Sequence, residues 1–290
     1  MTFNDDADIS GGRVSKRGRN TAIGIGGGGL GLVAIVLIGQ LLGVDLTGLV
    51  GGGTTSGSSS SGDTPLTQCT TGAQANNDID CRMQAAATSL DSYWSTTVSN
   101  YTQPQLVIFD GATNTGCGSA TTAVGPFYCP TDQTVYIDTA FYDELKSQFG
   151  ASGGPLAQLY VIAHEWGHHI QNITGIMNNL NLQATGPTSD SVRLELQADC
   201  FAGSWVGAAQ TTKDVNGVPF LEPVTQSEIN DALNAAASVG DDHIQESTQG
   251  SVNPESFTHG TSAQREKWFN VGLKQGPQAC DTFGASAASL

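Results

Sequence analysis

"AHEWGHHIQ", residues 163–171, is the stretch on which the reading of this chain turns. His164, Glu165 and His168 form the pattern His-Glu-x-x-His. On a helix turning about 100° per residue, positions i and i+4 share one face, so both imidazoles can address one ion with Glu165 beside it. The flanking residues predict such a helix over ~155–174. Leu156, Leu159, Tyr160, Ala163, Trp166, Gly167, Ile170 and Ile173 form its apolar stripe, and Gly175 is its stop signal. On a helix, this pattern suits a Zn²⁺ site in which two imidazoles and a third protein ligand leave one position open to water. Zinc brings the pKa of that water toward ~7, and Glu165 can take its proton and deliver it to a leaving amine. A helix that merely carries histidines is the plain alternative, and a third ligand is what separates the two.

"RLELQADCFAG", residues 193–203, offers that ligand. It falls in a second predicted helix, ~191–209, capped by Ser189 or Asp190 after Gly186-Pro187. Glu195 and Asp199 are four apart and share a face. Two helices side by side could converge Glu195 with His164 and His168 on one ion. Asp199 could then accept the N–H of a ligand imidazole and fix its tautomer. A solvated helix face is the alternative, but Leu194, Leu196, Ala198, Cys200, Phe201 and Ala202 surround the pair with apolar side chains. Buried carboxylates need a cation or donors, and only Arg193 is near in sequence. His169 lies about 100° around the helix from His168, which suits a structural role. Tyr160, one turn before His164, is either a polar donor or core. His259, in "FTHGTSAQR", is a candidate donor to the oxyanion of a tetrahedral intermediate, or simply a loop histidine. His243, in "GDDHIQ", reads as a surface residue.

Around these two helices the chain reads as α+β, mainly helical, with a small sheet. Met83, Ala86, Leu90, Tyr93 and Trp94 mark a helix over ~74–99; two more cover ~226–238 and ~262–274. "QLVIFD", 105–110, and "QTVYID", 133–138, read as strands.

The net charge of −16 argues against nucleic acid as a partner, since phosphate binding needs a basic face. The charge is uneven: Arg13, Lys16, Arg17 and Arg19 face Asp5, Asp6 and Asp8 within the first 20 residues, and the excess of acid lies beyond. Between the two regions runs "AIGIGGGGLGLVAIVLIGQLLGV", residues 22–44, without a charge. A bilayer crossing needs roughly 20 apolar residues, so this is a predicted transmembrane helix, with a cleaved signal peptide as its rival. Basic residues before it predict residues 1–21 in the cytoplasm and the remainder outside. Residues 45–64, largely Gly, Ser and Thr, read as a flexible tether, and the folded domain is expected over 65–290. All six cysteines follow the tether, which suggests disulfides in an oxidising compartment. Six cysteines allow 15 pairings. Closeness favours Cys69–Cys81 and Cys117–Cys129, leaving Cys200–Cys280. No short C-x₂₋₄-C spacing supports a zinc–thiolate site.

At this point the residues resemble a family, the bacterial neutral zinc metallopeptidases with one N-terminal membrane span. The matching stretches are the Gly-rich "GIGGGGLGLVAIVLIGQLLGVD", then "GCGSATTAVGPFYCPTDQTVYID", "HEWGHHIQ", "SVRLELQADCFAGSWV", "GDDHIQ" and "SFTHGTSAQREKWFNVG". "ELQADC" and "THGTSAQR" in this order are more specific than the His-Glu-x-x-His pattern, which many families share. The resemblance implies a zincin-like domain in which His164, His168 and Glu195 bind one Zn²⁺, Glu165 is the catalytic acid/base and Asp199 supports a ligand histidine. Relatives would be expected to carry a basic residue such as Arg where this chain has His243. The resemblance also implies a sheet edge beside which an extended peptide binds, and "QTVYID" is positioned for it, with Val135–Ile137 along the groove. The expected activity is a membrane-tethered, extracytoplasmic zinc metalloendopeptidase acting on peptide or protein substrates. A non-catalytic zinc-binding envelope scaffold and a hydrolase of cell-wall cross-links are the competing readings.

Overall fold

The computed structural model describes residues 3–18 and 63–290. The predicted span 22–44 and most of the tether lie outside these residues. Among the described residues no helix is long and apolar enough to cross a membrane.

A five-stranded sheet underlies the site, with strands β1 (Val14–Arg17), β2 (Thr64–Pro65), β3 (Gln105–Phe109), β6 (Phe127–Cys129) and β7 (Thr134–Ile137) in the order β2-β1-β3-β7-β6. The β1–β3 and β3–β7 pairs are parallel, and β2 and β6 flank them antiparallel. A separate hairpin of β4 (Ala112–Thr115) and β5 (Gly118–Thr121) precedes β6.

Two expectations change here. The fold does not start near Pro65, because β1 is an inner strand in register with β3 from Val14↔Leu106 to Arg17↔Phe109. Phe3, Ala7, Ile9 and Val14 are buried in the main core. Arg17 at the end of β1 grips the Asp63 carboxylate with Nε and Nη2 at 2.7 and 2.9 Å. These apolar residues are spaced irregularly among charged ones, so periodicity does not reveal them. The second change concerns "QTVYID". All four residues of β7 are buried, between β3 and β6, because Val135 and Ile137 face one side and Thr134 and Tyr136 pack on the other. Val135–Ile137 therefore does not border a groove; the edge strand is β6.

Eight helices among the described residues follow chain order: α1 (Gly72–Asn77), α2 (Ile79–Thr97), α3 (Phe141–Ser147), α4 (Pro155–Ile173), α5 (Asp190–Ala208), α6 (Gln226–Ser238), α7 (Asp241–Gln249) and α8 (Ser262–Gln275). The single helix predicted over ~74–99 is two, because Asp78 adopts an extended conformation and accepts the Cys81 N–H, capping α2. Helix α5 starts at its Ser189 cap, and α4 ends at Ile173, just ahead of Gly175.

Helix α4 packs against α5, α6 and the β6–β7 end of the sheet, while α5 lies along α8. Glycines set these approaches. A Cβ on Gly167 would lie 3.0 Å from the Ala198 Cα, so the glycine inside the His-rich motif lets α5 come close. A Cβ on Gly272 of α8 would lie 1.8 Å from the Cys200 carbonyl oxygen, so those two helices meet backbone to backbone. The disulfides are Cys69–Cys81, Cys117–Cys129 and Cys200–Cys280. The last ties α5 to the C-terminal segment. Closing a loop of 80 residues, it contributes at most about 4–5 kcal/mol in the chain-entropy model.

Candidate metal centre

The antiparallel packing of α4 against α5 places the carboxylate of Glu195 between two imidazoles. His164 Nε2 stands 3.1 Å from Glu195 Oε2, and His168 Nε2 stands 3.4 Å from Glu195 Oε1. One ligand atom from each residue lies within 4.8 Å of the others. The two rings are nearly perpendicular, at 89°. A tetrahedral zinc ion with bonds of roughly 2.0–2.2 Å separates its ligand atoms by about 3.3–3.6 Å. Of the two N–O spacings, 3.4 Å falls in that range and 3.1 Å, to the other carboxylate oxygen, lies just under it; the donor set of two imidazoles and a carboxylate is of the kind zinc takes.

Each ligand imidazole is held by its other nitrogen. His164 Nδ1 donates to Asp199 Oδ1 at 2.8 Å, and His168 Nδ1 donates to Gln171 Oε1 at 2.8 Å. Both tautomers are thereby set with Nε2 free for an ion. Gln171 is itself fixed, since its amide donates to the Leu194 carbonyl (2.7 Å) and to Gln197 Oε1 (3.1 Å) on α5.

Asp199 is fully enclosed, so its charge needs compensation. Arg265, on α8, supplies it: Nε donates to Oδ2 at 2.8 Å and Nη2 to Oδ1 at 3.0 Å. Tyr160 donates its hydroxyl to the same carboxylate and accepts from Arg265 Nη2 at 3.1 Å. Tyr160 is therefore committed to Asp199. Burial would raise the Asp199 pKa, but the Arg265 and His164 charges outweigh it and hold the group below the ordinary carboxylate range. Glu195 behaves alike: burial opposes its charge, and His168 and His164 override it, leaving the carboxyl well below its usual value. Burial disfavours a charged His164, yet Asp199 and Glu195 push its pKa up to about 10. The cavity thus stabilises positive charge where a cation would sit.

Glu165 is nearly enclosed and faces the same cavity. Burial raises its pKa; the two histidines and a hydrogen bond from the Tyr128 backbone N–H partly offset that, and Glu195 adds to it. Tyr128, on the edge strand, also braces the motif helix: its hydroxyl donates to His169 Nδ1 (3.0 Å) and accepts from Asn172 (2.8 Å). His169 Nε2 donates to the Thr102 carbonyl at 2.6 Å. His169 is structural, as its angular position on the helix suggests.

His259 lines the same cavity. Its Nδ1 contacts Thr258 Oγ1 (2.9 Å) and Asp241 Oδ1 (3.3 Å), which leaves Nε2 uncommitted. Asp241 Oδ2 accepts the backbone N–H groups of Thr258, His259 and Gly260 at 2.7, 2.6 and 2.9 Å, fixing the loop that carries the imidazole. Burial presses the His259 pKa down, but Asp241 and Glu195 outweigh it and raise it. In "GDDHIQ" the functional neighbour is thus Asp241 rather than His243, which is exposed. Arg265, Gln171 and Asp241 are the residues that sequence reasoning missed. The enclosed Asp199 gives the one usable signal: it requires a cation, and Arg265 stands in the specific stretch "THGTSAQR".

Residues 3–283 match the family described as "Putative neutral zinc metallopeptidase". An uncharacterized protein of Mycobacterium tuberculosis H37Rv is 52% identical over 223 residues, 76% of each chain. The uncharacterized protein YpfJ of Escherichia coli K12 is 42% identical over 293 residues, covering 97% of this chain and 96% of its own. No solved structure matches.

Proposed function

We propose that this chain, which belongs to the neutral zinc metallopeptidase family, is a zinc-dependent endopeptidase of the zincin kind. The observation that carries this reading is the convergence of His164, His168 and Glu195 at zinc-ligand spacing, with Glu165 in the same cavity. His164, His168 and Glu195 would hold the zinc ion, which when bound would supply Lewis acidity to a carbonyl and to water. Glu165, one residue after His164, accepts the proton of the attacking water and passes it to the leaving amine. Burial raises its pKa, which favours its return of the proton to the leaving group. His259 Nε2, oriented by Asp241, donates to the oxyanion as the carbonyl becomes tetrahedral. Asp199, Gln171 and Arg265 take no part in bond making; they hold the ligand rings.

The three disulfides support an oxidising, extracytoplasmic location for the domain. One crossing between residues 18 and 63 would put β1 and β3 on opposite faces of a membrane, yet they are hydrogen-bonded neighbours. That pairing supports a reading in which residues 3–18 and 63–290 lie on the same, outer side, as against a cytoplasmic N-terminal segment.

The test is zinc content and peptide hydrolysis for the wild type and Glu165→Gln. The variant is expected to keep one zinc per chain and to lose roughly 10²–10⁴-fold in turnover. A zinc-loaded wild type that hydrolyses no peptide in a mixed library would return the chain to the scaffold reading.

A further inference from the structure

The cavity that holds the trio continues into an apolar recess, and the recess bears on which peptides the site takes. The whole cavity, the space beside the trio included, has a volume of ≈ 150 Å³. Val124 and Phe127 from the turn into β6, Phe141 and Leu145 from α3, Val161 from α4 and Ile244 from α7 line it. Val161 is three residues before His164, so the recess opens within one helical turn of the ligands. Four elements of the fold thus turn apolar side chains toward one point beside Glu165.

Most of the charged lining groups are otherwise occupied. Arg265 is committed to Asp199, and His164, His168 and Glu195 form the ligand set. Glu144, on α3, is partly exposed at the wall, and burial together with the charge of Asp138 raises its pKa. None of the apolar groups offers a partner for a charged or strongly polar side chain, so such a side chain would lose its hydration without compensation.

On the reading that the site cleaves peptides, we infer that the recess is a specificity pocket for a large apolar or aromatic side chain on a residue flanking the scissile bond. The occupant follows from position and chemistry: the recess is continuous with the reacting centre, its walls are apolar apart from Glu144, and a cavity of ≈ 150 Å³ in all has room for one side chain rather than a second chain segment. Burying such a side chain in place of alanine should favour the peptide by roughly 10–150-fold.

Quenched fluorescent peptides that differ only at that residue, as Phe, Leu, Ala or Asp, provide the probe. Turnover by the zinc-loaded wild type is measured alongside peptide binding to zinc-loaded Glu165→Gln. The Phe and Leu peptides should exceed the Ala peptide by at least tenfold in both assays, and the Asp peptide should be weakest. Val161→Phe fills the recess from a side chain that is itself partly exposed. It should cut the Phe/Ala ratio at least fivefold without lowering zinc content. If its melting curve shows that it does not fold, Val161→Ser is used, which lowers the ratio by making the wall polar. A Phe/Ala ratio below about 2 in the wild type, or a ratio unchanged in the folded variant, overturns the pocket while leaving the peptidase reading intact. Absence of all hydrolysis overturns the peptidase reading, and the binding ratios of Glu165→Gln still decide the pocket.

Discussion

Replacing Arg265 by Met probes the logic of the whole centre, because it removes a cation and leaves its buried partner in place. Asp199 is 0% exposed and Arg265 3%, so neither side chain has water to fall back on. Removing one member of a buried pair costs about 3–5 kcal/mol, mostly through the stranded charge. Here the lower end applies, since Tyr160 Oη and His164 Nδ1 still donate to the carboxylate. Arg265→Met should therefore lose about 3 kcal/mol in urea unfolding of the chelator-treated protein. Adding Asp199→Leu removes the stranded charge and should return about 2 kcal/mol of that loss. Metal affinity must behave differently. Partners behind a ligand histidine are worth roughly 10–100-fold in affinity. Zinc competition with a chromophoric chelator should show weakening of that order in Arg265→Met and no recovery in the double variant, which has no acceptor for His164 Nδ1. A loss below 1 kcal/mol in the single variant, or a double variant no more stable than the single, would refute the claim that Arg265 exists to neutralise Asp199.

Two further outcomes follow from regions away from the metal ligands. Asp91 is buried, with Tyr101 and Gln103 donating to it, and burial raises its pKa to about 7 despite those bonds. Its unfolded value is about 3.9, so the stabilisation from a proton-bearing Asp91 is complete below pH ~4 and is lost as pH rises through 7, up to about 4 kcal/mol. Asp91→Asn should flatten the stability profile between pH 4 and 8, and persistence of the wild-type slope in the variant would contradict this assignment. For the placement of β1, Ser10→Cys and Ser251→Cys are both exposed sites. In intact cells a membrane-impermeant maleimide should label both equally; labelling of position 251 alone would mean that the β1–β3 pairing does not form in the cell.

What the sequence discloses and what it hides divide along the length scale of the interaction. The i, i+4 spacing of His164 with His168, and of Glu195 with Asp199, is a local property of a helix, and the two amphipathic segments are long enough for their bounds to be read within a residue or two. The disulfides follow from closeness in the chain, with the longest left by elimination. Strand β1 could not be read, since four residues held by a parallel partner some 90 positions away carry no pattern of their own. The role of β7 was misread for a related reason. Val135 and Ile137 alternate with Thr134 and Tyr136 as in a half-buried strand, but Tyr136 stacks on Phe127 and donates to Asp132, so its face is covered as well.

The carboxylate of Asp199 shows why the site is more than its motif. Sequence spacing can put an acid behind a ligand histidine, but it cannot say why that acid stays ionised in a dry interior. The answer comes from α8, where Arg265 reaches Asp199 because Gly272 allows the α8 backbone to touch that of α5 at Cys200. The same cysteine is bonded to Cys280, and the carbonyl of Cys280 receives the amide of Gln197, which in turn accepts from the Gln171 that holds His168. Both imidazoles are therefore steadied from the C-terminal part of the chain, His164 by the ion pair with α8 and His168 by a chain of amides that ends on Cys280. A helix carrying only the His-Glu-x-x-His pattern would have neither support. The specificity of "ELQADC" followed by "THGTSAQR" thus has a physical meaning: one stretch supplies the proposed third ligand and the buried acid, and the other supplies the cation that keeps the acid charged and the histidine that faces the cavity.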